Sequence, residues 1–414
     1  MQDFIDKLFF NFILFALFFG VVFYDTINIL GFSYVDELCA AFLLILFLYK
    51  VFKSQTWAFD KKFLFVIGVF AFYLIYSIVI SSNTTGAILT DFVIQAKPYL
   101  AFFCVYAIEP KLSDNQRKII RQLTILCCFY VLIVGLLNYT PIEAIEITFS
   151  HHSRLATTSS ILAMLYLYCS DYRKIDKLIF ILILAIGILS GRSKHFGFFA
   201  ICSLLILYFN DTARMKLNVK NLTFLIIALA VTIFVTRDKF YFYFVTGGFG
   251  DGRTAQDLYA RMALYFFSLN IFIDYMPFGS GFASYATYAS GAYYSPIYGK
   301  YGMERMYGLT KDAPDFIADT YYPALAQFGV VGVILFFTFW ISLAIKALKS
   351  YSICMKESLM ALLIIIFILI ECTTDATITH NRGMFMMIML GLIFYDIRKK
   401  TTTCTTSEKS DDDE

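Results

Sequence analysis

Residues 62–80 read KFLFVIGVFAFYLIYSIVI: behind Lys62 come eighteen residues without a charge and without alternation of apolar and polar positions. A hydrocarbon core about 30 Å thick takes roughly 20 mostly apolar residues of helix, within a range of about 17 to 25. This stretch is therefore predicted to cross a bilayer as a helix, and its lack of a two-residue period excludes a strand of an outer-membrane barrel. Applied outward, the same test predicts spans near 7–24, 33–50, 88–108, 118–137, 154–170, 176–190, 194–209, 220–236, 321–345, 357–375 and 380–397, twelve with the first one quoted. No small-residue cleavage site follows 7–24, so that stretch reads as a retained span and not as a removed signal peptide.

The composition agrees. Of 414 residues, 59% are hydrophobic, 19% aromatic and 16% charged, and 46 are Phe; the mean hydropathy is +0.69. A soluble domain carries about 25% charged residues, so a soluble enzyme, a disordered chain and a nucleic-acid partner are excluded. The fold class is an all-α polytopic integral membrane protein.

Orientation follows from the basic residues of the connections. Lys7, Lys50–Lys62, Lys111–Arg121, Arg173–Lys177, Arg214–Lys220, Lys346–Lys356 and Arg398–Lys409 all fall on one side and hold 22 of the 34 Lys and Arg, while the short loops 25–32 and 81–87 hold none. Both termini are predicted cytoplasmic. The seventh span is the shortest; its uninterrupted apolar core, Leu178–Leu189, also suits a re-entrant segment. Of nine Cys, seven fall in predicted spans, and Cys354 and Cys404 in cytoplasmic segments. Their pattern implies neither a disulfide framework nor a zinc site, and buried apolar thiols are expected.

The chain divides into a helical segment 1–236, one large partly helical outer loop 237–320 between spans nine and ten, a second helical segment 321–397, and a low-complexity tail 398–414 predicted to be disordered. Leu258, Met262, Tyr265, Leu269 and Ile273 recur at helical spacing, so 255–274 is predicted to be an amphipathic helix, broken by Pro277, Gly279 and Gly281. The chain lacks the two similar halves usual in a symmetric carrier.

Charges placed against the positive-inside rule mark candidate sites. Ser190-Gly191-Arg192-Ser193-Lys194-His195 puts two fixed positive charges on an outer turn. They are either snorkelling interfacial side chains or an anion site, Arg192 offering a planar donor fork and Lys194 a point charge. Arg261, four residues after Asp257, is either half of a surface ion pair or an anion ligand. Lys97 lies mid-span, where an ionisable group is costly; Asp91, Glu371 and Asp375 are its candidate partners. His151, His152 and Arg154 read as solvated loop residues, and His380 and Arg382 begin the last span on the same side. The tyrosines from Tyr285 to Tyr307 fit either an interfacial belt or a platform for sugar rings.

With these residues in place, the chain resembles the O-antigen ligase and polymerase family of bacterial envelope enzymes. The resemblance rests on the twelve spans, the loop between spans nine and ten, Ser190-Gly191-Arg192-Ser193, and the loop signature. That signature is Arg261-Met262-Ala263-Leu264-Tyr265, then Tyr275-Met276-Pro277-Phe278-Gly279-Ser280-Gly281-Phe282, then Asp319-Thr320-Tyr321-Tyr322-Pro323 before Gln327–Gly332.

The resemblance implies an inverting, metal-independent glycosyltransferase without a cofactor, on the outer face of the bacterial cytoplasmic membrane. Its donor and acceptor would be polyprenyl-pyrophosphate-linked oligosaccharides, with a chain-length regulator as candidate partner. Arg192 and Arg261 would hold the pyrophosphate, and Lys194, His195, Lys97, Arg253, Tyr321 and Arg382 would contribute to substrate binding. Ligases of the family carry a His-Asn pair at the end of the loop; here it is Ala318-Asp319. That departure favours a repeat-unit polymerase, with Asp319 as partner of the acceptor hydroxyl or, on the structural alternative, a helix cap. A ligase and a polytopic lipid or solute transporter are the alternatives.

Overall fold

A computed structural model describes residues 1–29, 34–54, 60–208 and 253–411, with Thr223 alone between the last two. The described chain is helical, with no strand among the described residues. Among the described residues, five stretches are long and apolar enough to cross a membrane: Gln2–Val22, Lys61–Val79, Thr85–Ile108, Asp114–Leu137 and Pro323–Ser350. Ser193–Tyr208 is a shorter apolar helix.

In chain order the helices are α1 (Gln2–Leu17), continued by a π turn to Val22, α2 (Tyr24–Ile29), α3 (Val35–Lys53), α4 (Lys61–Val79) and α5 (Thr85–Ile108). There follow α6 (Asp114–Leu137), α7 (Ala144–Phe149), α8 (His152–Cys169), α9 (Lys174–Ile186), a 3₁₀ turn Gly187–Ser190 and α10 (Ser193–Tyr208). The loop contributes α11 (Arg253–Asp274), α12 (Tyr288–Ala292) and α13 (Pro296–Lys300). The chain closes with a 3₁₀ turn Pro323–Phe328, α14 (Gly329–Ser350), α15 (Met355–Glu371) and α16 (Asn381–Asp411). Each predicted span among the described residues overlaps one or more of these helices; the ninth, 220–236, lies outside the described residues apart from Thr223.

Polar side chains set the helix starts. Asp60 accepts from Lys62 N at 2.8 Å, Thr84 from Ala87 N at 3.3 Å, and Ser113 and Gln116 close a reciprocal capping box before α6. The centre of the bundle is α16 on α5, close enough that a Cβ on Gly391 would stand 2.7 Å from Phe102 O. α8 is buried on nearly every side, its polar first half with Thr157, Thr158, Ser159 and Ser160 included. The acidic tail does not interrupt α16, which runs to Asp411; Thr401, Thr402 and Thr403 return their hydroxyls to carbonyls four residues back at 2.8–3.0 Å.

The bundle has two chemically distinct ends. At one, Lys50 Nζ donates to the carbonyls of Ala107 and Ile108 at 3.0 and 2.9 Å, Arg398 pairs with Glu109, and Lys356 Nζ donates to Tyr168 O and Ser170 O at 2.8 and 2.6 Å. These cations sit on helix C-termini, where free carbonyls and the helix dipole favour them. All belong to the group that the sequence assigns to a single side. The opposite end carries the loop.

The loop packs its own core around Ala260, Leu264, Ile271, Tyr285, Tyr298 and Ile317. Tyr285 OH donates to Leu264 O at 2.6 Å, and Tyr298 OH accepts from Ala286 N at 2.9 Å. The tyrosine run is thus divided: Tyr285 and Tyr298 are loop core, and Tyr288, Tyr293 and Tyr307 are exposed. The predicted amphipathic helix is present as α11, but its larger apolar stripe faces outward. Leu269 and Ile273 are both 64% exposed, while the small Ala260 lies against the core. Ala260, Leu264 and Ile271 form the face that packs on the loop core, and the Leu269 and Ile273 face is left for an apolar surrounding.

Candidate functional site

The Pro277–Phe282 segment positions the loop. Gly281 N donates to Gln327 O at 2.8 Å, Tyr76 OH to Gly279 O at 2.9 Å, and Ser82 Oγ to Phe282 O at 2.8 Å. Ala283 N donates to the buried Asp91 at 2.7 Å. The motif is therefore a clamp that fixes the loop to α4, α5 and the turn before α14. Two further bonds bring the loop to the end of α15: Tyr265 OH donates to Thr373 O at 2.7 Å, and Tyr321 N to Cys372 O at 3.3 Å.

Around that end of α15 the charges gather. Arg192 follows Gly191, whose φ of +65° makes the turn between the 3₁₀ segment and α10. Its Nη2 donates to His151 Nε2 at 2.9 Å. His151 Nδ1 lies 2.6 Å from Ser153 Oγ, which donates to Asp375 Oδ2 at 3.3 Å. Lys194 Nζ donates to Glu371 at 2.7 Å and to Asp375 at 3.4 Å, and Thr377 Oγ1 donates to Glu371 at 3.2 Å. Beside them, Arg261 pairs with Asp319 through Nε, both side chains about one quarter exposed. Asp319 lies within electrostatic reach of Lys194 and Asp375, and the Tyr265–Thr373 and Tyr321–Cys372 bonds bring this pair to the same end of α15.

The protonation states follow from surroundings. Arg192 can only donate, which leaves His151 Nε2 as the acceptor, while Nδ1 faces both Ser153 Oγ at 2.6 Å and Ser153 N at 3.3 Å. Partial desolvation, then the Arg192 charge, push the pKa of the exposed His151 down to about 4, against the pull of Asp375. Burial raises the Asp319 carboxyl above the ordinary range, and the Arg261 guanidinium opposes that rise.

The remaining candidates are placed elsewhere or otherwise engaged. Lys97 pairs with Asp36 and, at 2.8 Å, with Glu37, not with Asp91, Glu371 or Asp375. The reason is the packing of α3 on α5, which brings the acidic start of one helix to the middle of the other. Glu371 and Asp375 serve Lys194 instead, so Lys194 is a partnered cation and not a snorkelling one. His195 is 2% exposed and bonds Leu184 O at 3.0 Å inside the α9–α10 hairpin. Arg382 is buried on Asp25 at 2.6 Å and Thr158 at 2.9 Å, and Arg154 pairs with the same Asp25. Tyr321 is buried, its OH donating to Gln95 Oε1 at 3.2 Å. Arg253 opens α11, but its side chain lies outside the described residues, as does that of Asp257. Asp319 caps no helix, since the next helical turn begins at Pro323.

Comparison with family models, curated proteins and solved structures finds no match.

Sequence reasoning missed His151, Ser153, Glu371 and Asp375 as members of this site. The visible signal was a pair of carboxylates, Glu371 and Asp375, four residues apart on an apolar stretch, together with a His next to a Ser at a span start. Nothing in the linear spacing joins residues 151, 192 and 371.

Proposed function

We propose that this chain is a membrane glycosyltransferase that polymerises polyprenyl-pyrophosphate-linked oligosaccharide repeat units into an envelope polysaccharide. In this reading it crosses the bacterial cytoplasmic membrane twelve times, with both termini cytoplasmic and the loop end facing outward. One observation supports the reading: Arg192 and Arg261, 69 positions apart, each donate to an acid–base group, His151 and Asp319, and both pairs lie towards the same end of α15.

The chemistry follows from that pairing. A diphosphate offers stronger acceptors than a neutral imidazole, so a bound donor draws both guanidinium groups onto its oxygens. Asp319 is thereby released to take the proton of an acceptor sugar hydroxyl. The hydroxyl oxygen forms a bond to the anomeric carbon as the carbon–oxygen bond to the diphosphate breaks, with inversion. The electron pair leaves on the diphosphate, where the two arginines stabilise the developing charge. Every group in this step belongs to the chain or its substrates.

The deciding experiment gives the purified protein only lipid-linked repeat units. The reading expects a ladder of chain lengths, release of polyprenyl pyrophosphate, and no inhibition by a chelator. Transfer of one unit to a different acceptor without a ladder would favour the ligase. Movement of lipid across vesicles without bond formation would favour a transporter.

A further inference from the structure

Between α4 and α14, floored by α5, lies a groove of about 560 Å³, inside the ~300–1,000 Å³ range of small-molecule sites. Phe65, Phe70, Phe102, Phe103, Phe339 and Phe394 line it. Towards the loop it is roofed: Tyr73 OH donates to Phe328 O at 2.7 Å, and the rings of Tyr73 and Phe282 pack on Phe328 at 5.2 and 5.1 Å. Its other end is basic, lined by Lys61, Lys62 and Lys346. Phe63 stacks on Phe103 at 5.1 Å, which sets Lys61 and Lys62 near the level of Tyr106, whose hydroxyl accepts from Lys346 Nζ at 3.3 Å. Among the described residues, neither Lys61 nor Lys62 forms an ion pair. Asp60, also at this end, accepts from Lys62 N as the cap of α4.

We propose that this groove binds an anionic glycerophospholipid, with its phosphate on Lys61, Lys62 and Lys346 and one acyl chain along the phenylalanines. Two features point to that occupant. Basic pockets between membrane helices on the cytoplasmic side select anionic headgroups, and the closed roof admits a chain from the lysine end or the side, not from the loop. The lipid would also cover part of α4, of which only Phe63, Tyr73 and Ser77 are buried in the protein. The proposal stands apart from glycosyl transfer; it takes from that reading only the cytoplasmic assignment of the lysine end.

The test is native mass spectrometry of the full chain released from phosphatidylcholine nanodiscs containing one tenth phosphatidylglycerol. The wild type is expected to retain phosphatidylglycerol in preference to phosphatidylcholine. Lys61→Gln, Lys62→Gln and Lys346→Gln combined should lower that retention at least tenfold, at about fivefold per cation. Ser342→Trp, an exposed groove position, and Val66→Trp should each expel the bound lipid while the protein stays monodisperse. Equal retention of the two lipids, retention unchanged in the triple variant, or lipid held by both tryptophan variants would overturn the proposal. So would polyprenyl phosphate displacing phosphatidylglycerol with no dependence on the lysines.

Discussion

Arg192 Nη2 donates to His151 Nε2 at 2.9 Å, so a guanidinium on the α9–α10 turn holds an imidazole at the start of α8. The consequence is electrostatic. Arg192 holds the His151 pKa down to about 4 together with lost hydration, while Arg154 and Lys194 add to the depression and Asp375 opposes it. Arg192→Gln keeps an amide donor and removes the charge. The His151 midpoint should therefore rise toward the ordinary value of about 6.5, and Arg154→Gln should raise it less. Histidine NMR titration in nanodiscs reads both shifts; an unmoved midpoint in Arg192→Gln would remove the charge from the account. The sign for stability is also set. A folded pKa below the unfolded one means that stability is complete above about pH 6.5 and is lost as pH falls toward 4. His151→Asn should flatten that part of the melting-temperature profile.

Arg261 and Asp319 join the first helix of the loop to its closing segment. Arg261→Ala should cost elongation about 10²-fold or more, the scale of removing one preorganised donor from a developing charge. Because the guanidinium lowers the Asp319 pKa, the acid limb of any residual activity should move to higher pH in Arg261→Ala. Asp319→Asn should cost much more than Asp319→Glu, because only the latter keeps a proton acceptor. The Arg261→Ala/Asp319→Asn double variant should be no worse than the weaker single variant. Full activity in Arg261→Ala or Asp319→Asn would return the pair to a structural role.

Lys97 is 5% exposed and sits on Asp36 and Glu37. Lys97→Met leaves two carboxylates facing each other with no cation, and breaking a buried pair in this way costs about 3–5 kcal/mol. The thermal midpoint in detergent should drop sharply. Adding Asp36→Asn and Glu37→Gln should restore most of it, since three neutral groups bury more cheaply than two unpaired charges. A wild-type midpoint in Lys97→Met would mean that the carboxylates have another partner.

The helices are legible in the sequence because each apolar run is long and the polar breaks between them carry caps such as Asp60, Thr84 and Ser113. The two ends of the bundle are legible because lysines and arginines gather on one side. Pairing between spans is not. Lys97 meets residues 60 and 61 positions away, and His151 meets Arg192 41 positions away; both depend on which helices are neighbours. The same holds for α11, whose periodicity shows an apolar stripe but not whether protein or lipid covers it. Arg192 and Arg261 stand out because charge is scarce in this chain, so each outer-face charge is conspicuous, whereas Asp319 stands out only through the resemblance. The acceptor of Arg192, His151, reads in the sequence as a solvated loop residue.

Gly279 and Gly329 are the tightest point of the loop clamp. Both have positive φ, +81° and +59°, and a Cβ on Gly279 would stand 2.3 Å from Gly329 N, while one on Gly329 would stand 2.4 Å from Gly279 N and from Pro277 O. The obstacles are backbone atoms, which cannot rotate away as a side chain can. Either Gly→Ala substitution therefore has to push the Pro277–Phe282 strand off the turn before α14 and with it break the bond from Gly281 N to Gln327 O. The loss should exceed the roughly 1 kcal/mol of an ordinary strained glycine replacement. The clamp is local to the loop end, so limited proteolysis should cleave the loop at least tenfold faster in Gly279→Ala, while the helical circular-dichroism signal stays near wild type. Gly302→Ala is the control: its φ of +71° is similar, but a Cβ there meets nothing within 4 Å. Equal sensitivity of Gly279→Ala and Gly302→Ala would show that backbone conformation, and not the close approach of two chain segments, sets the cost.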